Sequence, residues 1–201
     1  MSESTAVKER PIIFSAPMVR AILGGRTTQT RRRVKPHPPE WINELHGGEL
    51  SKRAPYAIED DEQRVFGWGF QDDHDRYYKF PYGIIGDRLW VRETYAVCAD
   101  CNIFYKADGE PFPWDGIKWK PSIYMPRRAS RLTLEITDVR VERLKDISEK
   151  DAIAEGCQCA GVPASITNVG AFAKLWESIS GEGSWSQNPW VWVIEFKKVA
   201  Q

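Results

Sequence analysis

Apolar and polar positions follow different periods in different parts of this 201-residue chain, and each change of period marks an element. PIIF (11–14) is a short apolar run that predicts a strand. Ser15 can cap the segment after it, and a first helical turn tolerates Pro17. Met18, Ala21 and Ile22 then share one helical face with Leu23 beside them. Gly24 and Gly25 stop this helix, because glycine readily takes the left-handed cap. The continuation, RTTQTRRR (26–33), has no apolar period and reads as a loop.

Residues 35–80 are the least regular part. The prolines of KPHPPE exclude a helix and a central strand. RVFGWGF reads as a strand with a glycine bend, so the region is taken as an insertion holding one hairpin. From Gly86 the pattern sharpens. RLWVRET alternates as a strand, and NIFYKAD (102–108) is another. Four aromatics and four prolines make 110–130 an irregular loop. SRLTLEITDVRVERL (130–144) is the clearest strand, with a bulge at Asp138. Ser148 and Asp151 form a capping box for a helix that ends at Gly156. NVGAFAKLWESI (168–179) puts Val169, Phe172, Trp176 and Ile179 on one stripe. PWVWVIEFKKV (189–199) is apolar on both faces at its start, which predicts a central strand.

This order predicts an α+β domain spanning 11–201 behind a disordered tail, 1–10. Its mixed, curved sheet tends toward a small barrel with short helices over the openings. Composition adds little to the picture. Lys+Arg and Asp+Glu both number 28, so any nucleic-acid site must be a local patch. Nine Trp, several beside Pro or Gly, are packing plates or stacking platforms for bases. The polar start MSESTAVKER carries no signal-peptide core, and no apolar run nears the roughly 18 residues of a membrane span. The expectation is a soluble, cytoplasmic protein.

The four cysteines fall in two close pairs, Cys98 with Cys101 and Cys157 with Cys159. Two thiolates at such spacing make half a zinc site, so one reading is a structural four-cysteine zinc. The other is reduced thiols or a redox-sensitive pair. His37, His46 and His74 lie in the irregular region, and DDHD (72–75) is read as a solvated loop. Arg26, Arg31, Arg32 and Arg33 are donors suited to phosphate or carboxylate oxygens, with the Thr27, Thr28 and Thr30 hydroxyls between them. A solvated, charged turn is the plain alternative.

FSAPMVRAILGGRTTQTRR, GDRLWVRET, ISEKDAIAEG and NPWVWVIEFKKV, in this order, resemble ASCH-domain proteins, more narrowly those of tailed phages and prophages. The resemblance covers most of the chain outside the tail and the regions 35–80 and 108–128. It implies a PUA-like fold, a small β-barrel whose cleft binds RNA or a nucleoside, in a host-cell cytoplasm. The family run G-x-K-x-x-E-x-R is met here by Gly25 and Arg32, while Thr27 stands at the Lys position and Thr30 at the Glu position. Members that hydrolyse N4-acetylcytidine carry a catalytic Thr at the latter position, with a Lys and a Glu from a downstream capped helix. By that resemblance Thr30 and Glu155 are the catalytic candidates. Arg26, Thr27, Thr28, Arg31 and Arg32 would line the ligand site with Gly25. A threonine hydroxyl needs a base to become nucleophilic, and Thr27 cannot supply what the missing lysine would. Glu93 at the end of a strand is a further carboxylate candidate, and Tyr95 and Trp90 are the aromatics placed to stack on a base. Hydrolysis of modified cytidine, cleavage of RNA phosphodiesters and a non-catalytic RNA- or partner-binding module all stay open at this point.

Overall fold

The computed structural model describes residues 7–38, 45–46, 56–59, 65–72, 76–98, 102–109, 118–157 and 167–199. It is an α+β structure of mostly strands and few helices. The main sheet has five strands. β11 (Trp190–Lys198) is an interior strand, flanked on both sides, as its two-sided apolar pattern predicts. Trp192, Ile194 and Phe196 face one core, and Val191 and Val193 face another. β10 (Thr133–Arg143) pairs antiparallel with β11, with its register shift between Ile136 and Asp138, at the expected bulge. β7 (Arg88–Arg92) continues antiparallel, and β1 (Glu9–Ile13) lies parallel to β7 at one edge.

The other edge corrects the sequence reading. Gln29–Arg33, expected to be loop, is a strand, β2, paired antiparallel with β11 over its whole length. The sheet order is therefore β1-β7-β10-β11-β2, mixed as expected. Backbone pairing among the described residues does not close it into a barrel. It curls instead until its edges lie one side chain apart. Arg32 Nη2 donates to the Ile13 carbonyl at 2.6 Å, and its guanidinium stacks 5.0 Å from the Phe14 ring centroid. α1 (Ala16–Leu23) links these edges and buries Val19, Ala21 and Ile22 inside the curl.

The insertion is richer than one hairpin. β5 (Val65–Asp72) pairs with β3 (Leu45–His46), β4 (Tyr56–Glu59) and β6 (Tyr77–Lys79). It packs onto the main core through Phe70 and Phe80, whose ring centroids lie 5.5 and 5.4 Å from Trp192. β8 (Tyr95–Val97) and β9 (Ile103–Tyr105) form a separate hairpin. On the outer face sit α2 (Glu149–Ala154) and α3 (Asn168–Ser180), over Leu144, Ile147, Val191 and Val193. The capping box forms as predicted: the Asp151 N–H donates to Ser148 Oγ and the Ser148 N–H to Asp151. The Glu149 carboxylate accepts from the Asn168 and Val169 N–H groups, so the first turn of α2 caps α3.

Candidate functional site: a cleft along the edge strand

The segment that makes the site starts where α1 stops. Gly25 takes φ +68 and donates to the Ile22 carbonyl, and Arg26, exposed, donates to that of Ala21. The Thr28 N–H then bonds the Ala154 carbonyl at 3.0 Å, while its own carbonyl accepts from Phe196 at 2.8 Å. The chain is thereby pinned between the end of α2 and β11 before it becomes β2. Thr27 is buried beside Gly156, and its hydroxyl makes no hydrogen bond among the described residues.

Strand alternation then sorts the side chains of β2. Gln29 and Arg31 point to α2 and α3, where Gln29 Nε2 donates to Asp151. Thr30 and Arg32 take the other face. The bonds from Val34 N–H to Trp190 and from Phe196 N–H to Thr28 frame the ladder. In this register the backbone groups of Thr30 and Arg32 turn to β11, and those of Gln29, Arg31 and Arg33 turn to the open edge.

Arg31 is the hub. Its side chain is fully buried yet holds every nitrogen in a bond. Nε and Nη2 donate to Glu142 Oε1 at 3.1 and 2.5 Å, and Nη1 donates to Glu155 Oε1 at 2.9 Å. Asp151 lies 3.6 Å from Nη2, and the Phe172 ring lies 5.8 Å from the guanidinium carbon. Arg140 forms a second tier, bonding Glu142, Asp151 and Glu195. Burial raises the Asp151 carboxyl, but its bonds to Ser148 and its two arginine neighbours outweigh this and leave it below the ordinary value.

Glu155 directly follows α2 and is only 3% exposed. Burial penalises its charged form more than Arg31 and Arg32 favour it, so its pKa rises from 4.5 to about 7. It borders a cavity of about 110 Å³ that runs along β2. Thr30, Arg31, Arg32 and Arg33 line one side of that cavity, and Phe172, Leu175 and Trp176 of α3 form an apolar wall. Thr30 and Glu155 share the cleft but make no hydrogen bond to each other. No lysine lines it. Burial also lowers the pKa of Arg32, opposed by Tyr82 and Glu155; an arginine stays protonated regardless. The arrangement offers a carboxyl that titrates near neutrality, fixed guanidinium groups and a flat apolar wall. Together these suit a small planar, polar group.

Of the sequence candidates, Thr30, Arg31, Arg32 and Glu155 meet at this cleft. Gly25, Arg26, Thr27 and Thr28 form the loop leading into it and do not line it. Glu93 and Tyr95 lie elsewhere. Glu93 is buried and bound bidentately by Arg131, at 2.9 and 3.1 Å. Tyr95 is buried with Met125 and Ala129 and donates to the Tyr124 carbonyl. Trp90 is half-buried beneath the Arg92 guanidinium. Cys98 directly follows β8 and Cys157 packs in the α2–α3 core, while Cys101 and Cys159 lie outside the described residues. Among the described residues no group of three His, Cys, Asp or Glu is arranged to hold a metal ion. No helix among them is long and apolar enough to cross a membrane.

Sequence reasoning did not anticipate Glu142, Arg140 or the α3 wall. The signal was present in DVRVER: Arg140 and Glu142 alternate with Val139 and Val141, so one face of a central strand had to bury charge.

Gly156 ties the loop to the helix carrying Glu155. It has φ +89, and a Cβ there would lie 2.4 Å from Thr27 Oγ1 and 3.2 Å from Ala21 Cβ. Threonine is stiff about χ1 and cannot swing away cheaply. Gly156→Ala is expected to cost roughly 1–3 kcal/mol, combining backbone strain with this clash. Adding Thr27→Ala should restore the steric share alone. Thermal unfolding of both variants checks this; a double variant no more stable than Gly156→Ala would remove the Thr27 contact from the explanation.

No protein-family model, no curated protein and no solved structure matches this chain.

Proposed function

We propose that the chain is a PUA-like domain of the ASCH type that binds RNA or a nucleoside in the cleft along β2. One observation carries the reading: a buried carboxyl, Glu155, shares a cavity with Thr30, Arg32 and the aromatic wall of α3. Thr30, Arg32 and Glu155 are the positions that the resemblance assigns to the ligand site. They come from segments more than 120 residues apart, so their meeting was open in the sequence.

A hydrolytic reading is favoured by the placement and acidity of Glu155. With a pKa of about 7 it can take a proton and return it within one turnover. For an N-acetylated base, water would attack the acyl carbon as Glu155 takes its proton. Arg32 would face the resulting oxyanion, and collapse would expel the amine with the proton returned by Glu155. Thr30 is not hydrogen-bonded to Glu155, so it is assigned to orienting the ligand rather than to attack. With Thr27 at the family's lysine position, no second base is supplied.

The test is incubation of the protein with N4-acetylcytidine and with a structured RNA, read by mass spectrometry alongside binding measurements. Turnover by wild type, lost by 10²–10⁴-fold in Glu155→Gln with binding retained, is the expected outcome. Binding without turnover would leave a non-catalytic module. No binding of either ligand would remove the reading altogether.

A further inference from the structure

Buried polar atoms without partners are few in a folded chain, so the place where they gather is informative. Among the described residues, six buried side-chain nitrogen or oxygen atoms make no hydrogen bond. Three of them, Arg32 Nε, Arg33 Nε and Trp176 Nε1, belong to residues that line the cleft along β2. All three are N–H donors. The carboxyl of the cleft does not answer them: Glu155 gives Oε1 to Arg31 and accepts from none of the three.

Packing sets each of these donors in place. Arg32 Nη2 bonds the Ile13 carbonyl while its guanidinium lies on the Phe14 ring, which leaves Nε over. Arg33 commits Nη2 to Gln187 Oε1 at 2.6 Å. Trp176 is 8% exposed and belongs to the core that includes Val191 and Val193. It follows Phe172 by one helical turn, with the two ring centroids 6.1 Å apart and the planes tilted by 41°. A phenylalanine would complete the same apolar wall without burying a donor. A buried N–H left unpaired is destabilising, and an acceptor brought by a ligand removes that cost.

Arg31 adds main-chain groups to the same cleft. Its side chain is fully buried and bonded, so it meets the cavity through its backbone. In the β2 register that N–H and carbonyl turn to the open edge. The unanswered groups are thus mostly N–H donors, with the Arg31 carbonyl beside them as an acceptor.

We infer that Trp176 is a specificity-determining residue of this cleft: with Arg32 Nε it donates to an oxygen of the ligand, so the cleft takes a base edge bearing a keto or acyl oxygen in preference to one bearing an amino group. The inference rests on the RNA- or nucleoside-binding reading above and narrows it to oxygen-bearing bases. A carbonyl next to an N–H answers both the donors and the Arg31 carbonyl. An amino group in the same place sets donor against donor and leaves both unpaired.

Binding is measured for cytidine, uridine and N4-acetylcytidine, the last read before any turnover. Wild type should bind the tighter of the two oxygen-bearing nucleosides about tenfold or more tightly than cytidine. Trp176→Phe keeps the aromatic wall and removes the donor, and it should narrow that preference roughly three- to tenfold. A second readout needs no variant. In ¹⁵N-labelled wild type, the Trp176 indole N–H signal, assigned through its contacts with Phe172, should move downfield with the preferred nucleoside and not with cytidine. Equal affinity for all three nucleosides, a Trp176→Phe variant with the wild-type preference, or an indole signal that stays in place would overturn the inference and leave the cleft standing. Binding of a structured RNA without any nucleoside would do the same. If wild type binds neither the nucleosides nor the RNA, the inference and the reading beneath it both fall.

Discussion

Arg31→Met is expected to lower folding stability by about 3–5 kcal/mol at pH 8, the largest effect of any single change at the site. Methionine keeps the apolar stem of the side chain and loses the guanidinium that faces Phe172. What it removes is the charge between two buried carboxylates. Glu142 retains Arg140, but Glu155 loses the guanidinium that donates to it at 2.9 Å. A buried anion without its cation bears its whole desolvation cost. That cost has an exit, since the Glu155 carboxyl can take a proton. The loss should therefore be smaller at pH 5, where Glu155 is neutral. Replacing the cluster together (Arg31→Met, Glu142→Leu, Glu155→Gln) should recover most of the stability, because apolar and neutral groups need no counterion. Urea denaturation at both pH values checks this. A loss under about 1 kcal/mol at both would mean that Arg31 does not hold these carboxylates in the interior.

The second large effect is a pH dependence that Glu155→Gln abolishes. Folded Glu155 titrates at about 7 and the unfolded group at 4.5, chiefly because burial disfavours the anion. Below pH 4.5 the group is protonated in both states, and its contribution to stability is fully present. Between 4.5 and 7 the folded state keeps a proton that the unfolded state has released, so stability falls as pH rises. A difference of this size corresponds to about 3 kcal/mol across the window. The Gln variant has nothing to titrate there and should stay level, becoming more stable than wild type above pH 7. Asp151, Glu9 and Glu149 have lowered pKa values, so their contributions are lost only at more acidic pH, outside this window. Urea midpoints measured from pH 4.5 to 8 would run parallel for the two proteins if Glu155 were not held as described.

Much of the fold was legible because it obeys local rules. Helix α1 ends at its glycine pair, α2 carries its capping box, β10 bulges at Asp138, and β11 is an interior strand with apolar residues on both faces. Each is set by a few neighbouring residues. The insertion was under-read because its strands are short and broken by Gly and Pro, and they pair across gaps that no local pattern announces. The main error falls on the site itself. Gln29–Arg33 has no apolar position, and a charged run is ordinarily solvated. It is nevertheless a strand with Arg31 fully buried, because Glu142 and Glu155 meet it from 111 and 124 residues away. Burial of an arginine depends on partners, and sequence spacing does not show partners.

The sequence by itself therefore determined the locally patterned elements, the α+β class, and a short list that included Thr30, Arg31, Arg32 and Glu155. Periodicity, capping and turn chemistry are properties of neighbours in the chain. Only the tertiary structure decided that β2 is an edge strand and that the sheet curls without closing. It also brought Glu155 into a cleft with Thr30 while leaving Glu93 bound to Arg131. Those outcomes rest on charges that neutralise one another across long sequence separations, and they exist only once the sheet has folded.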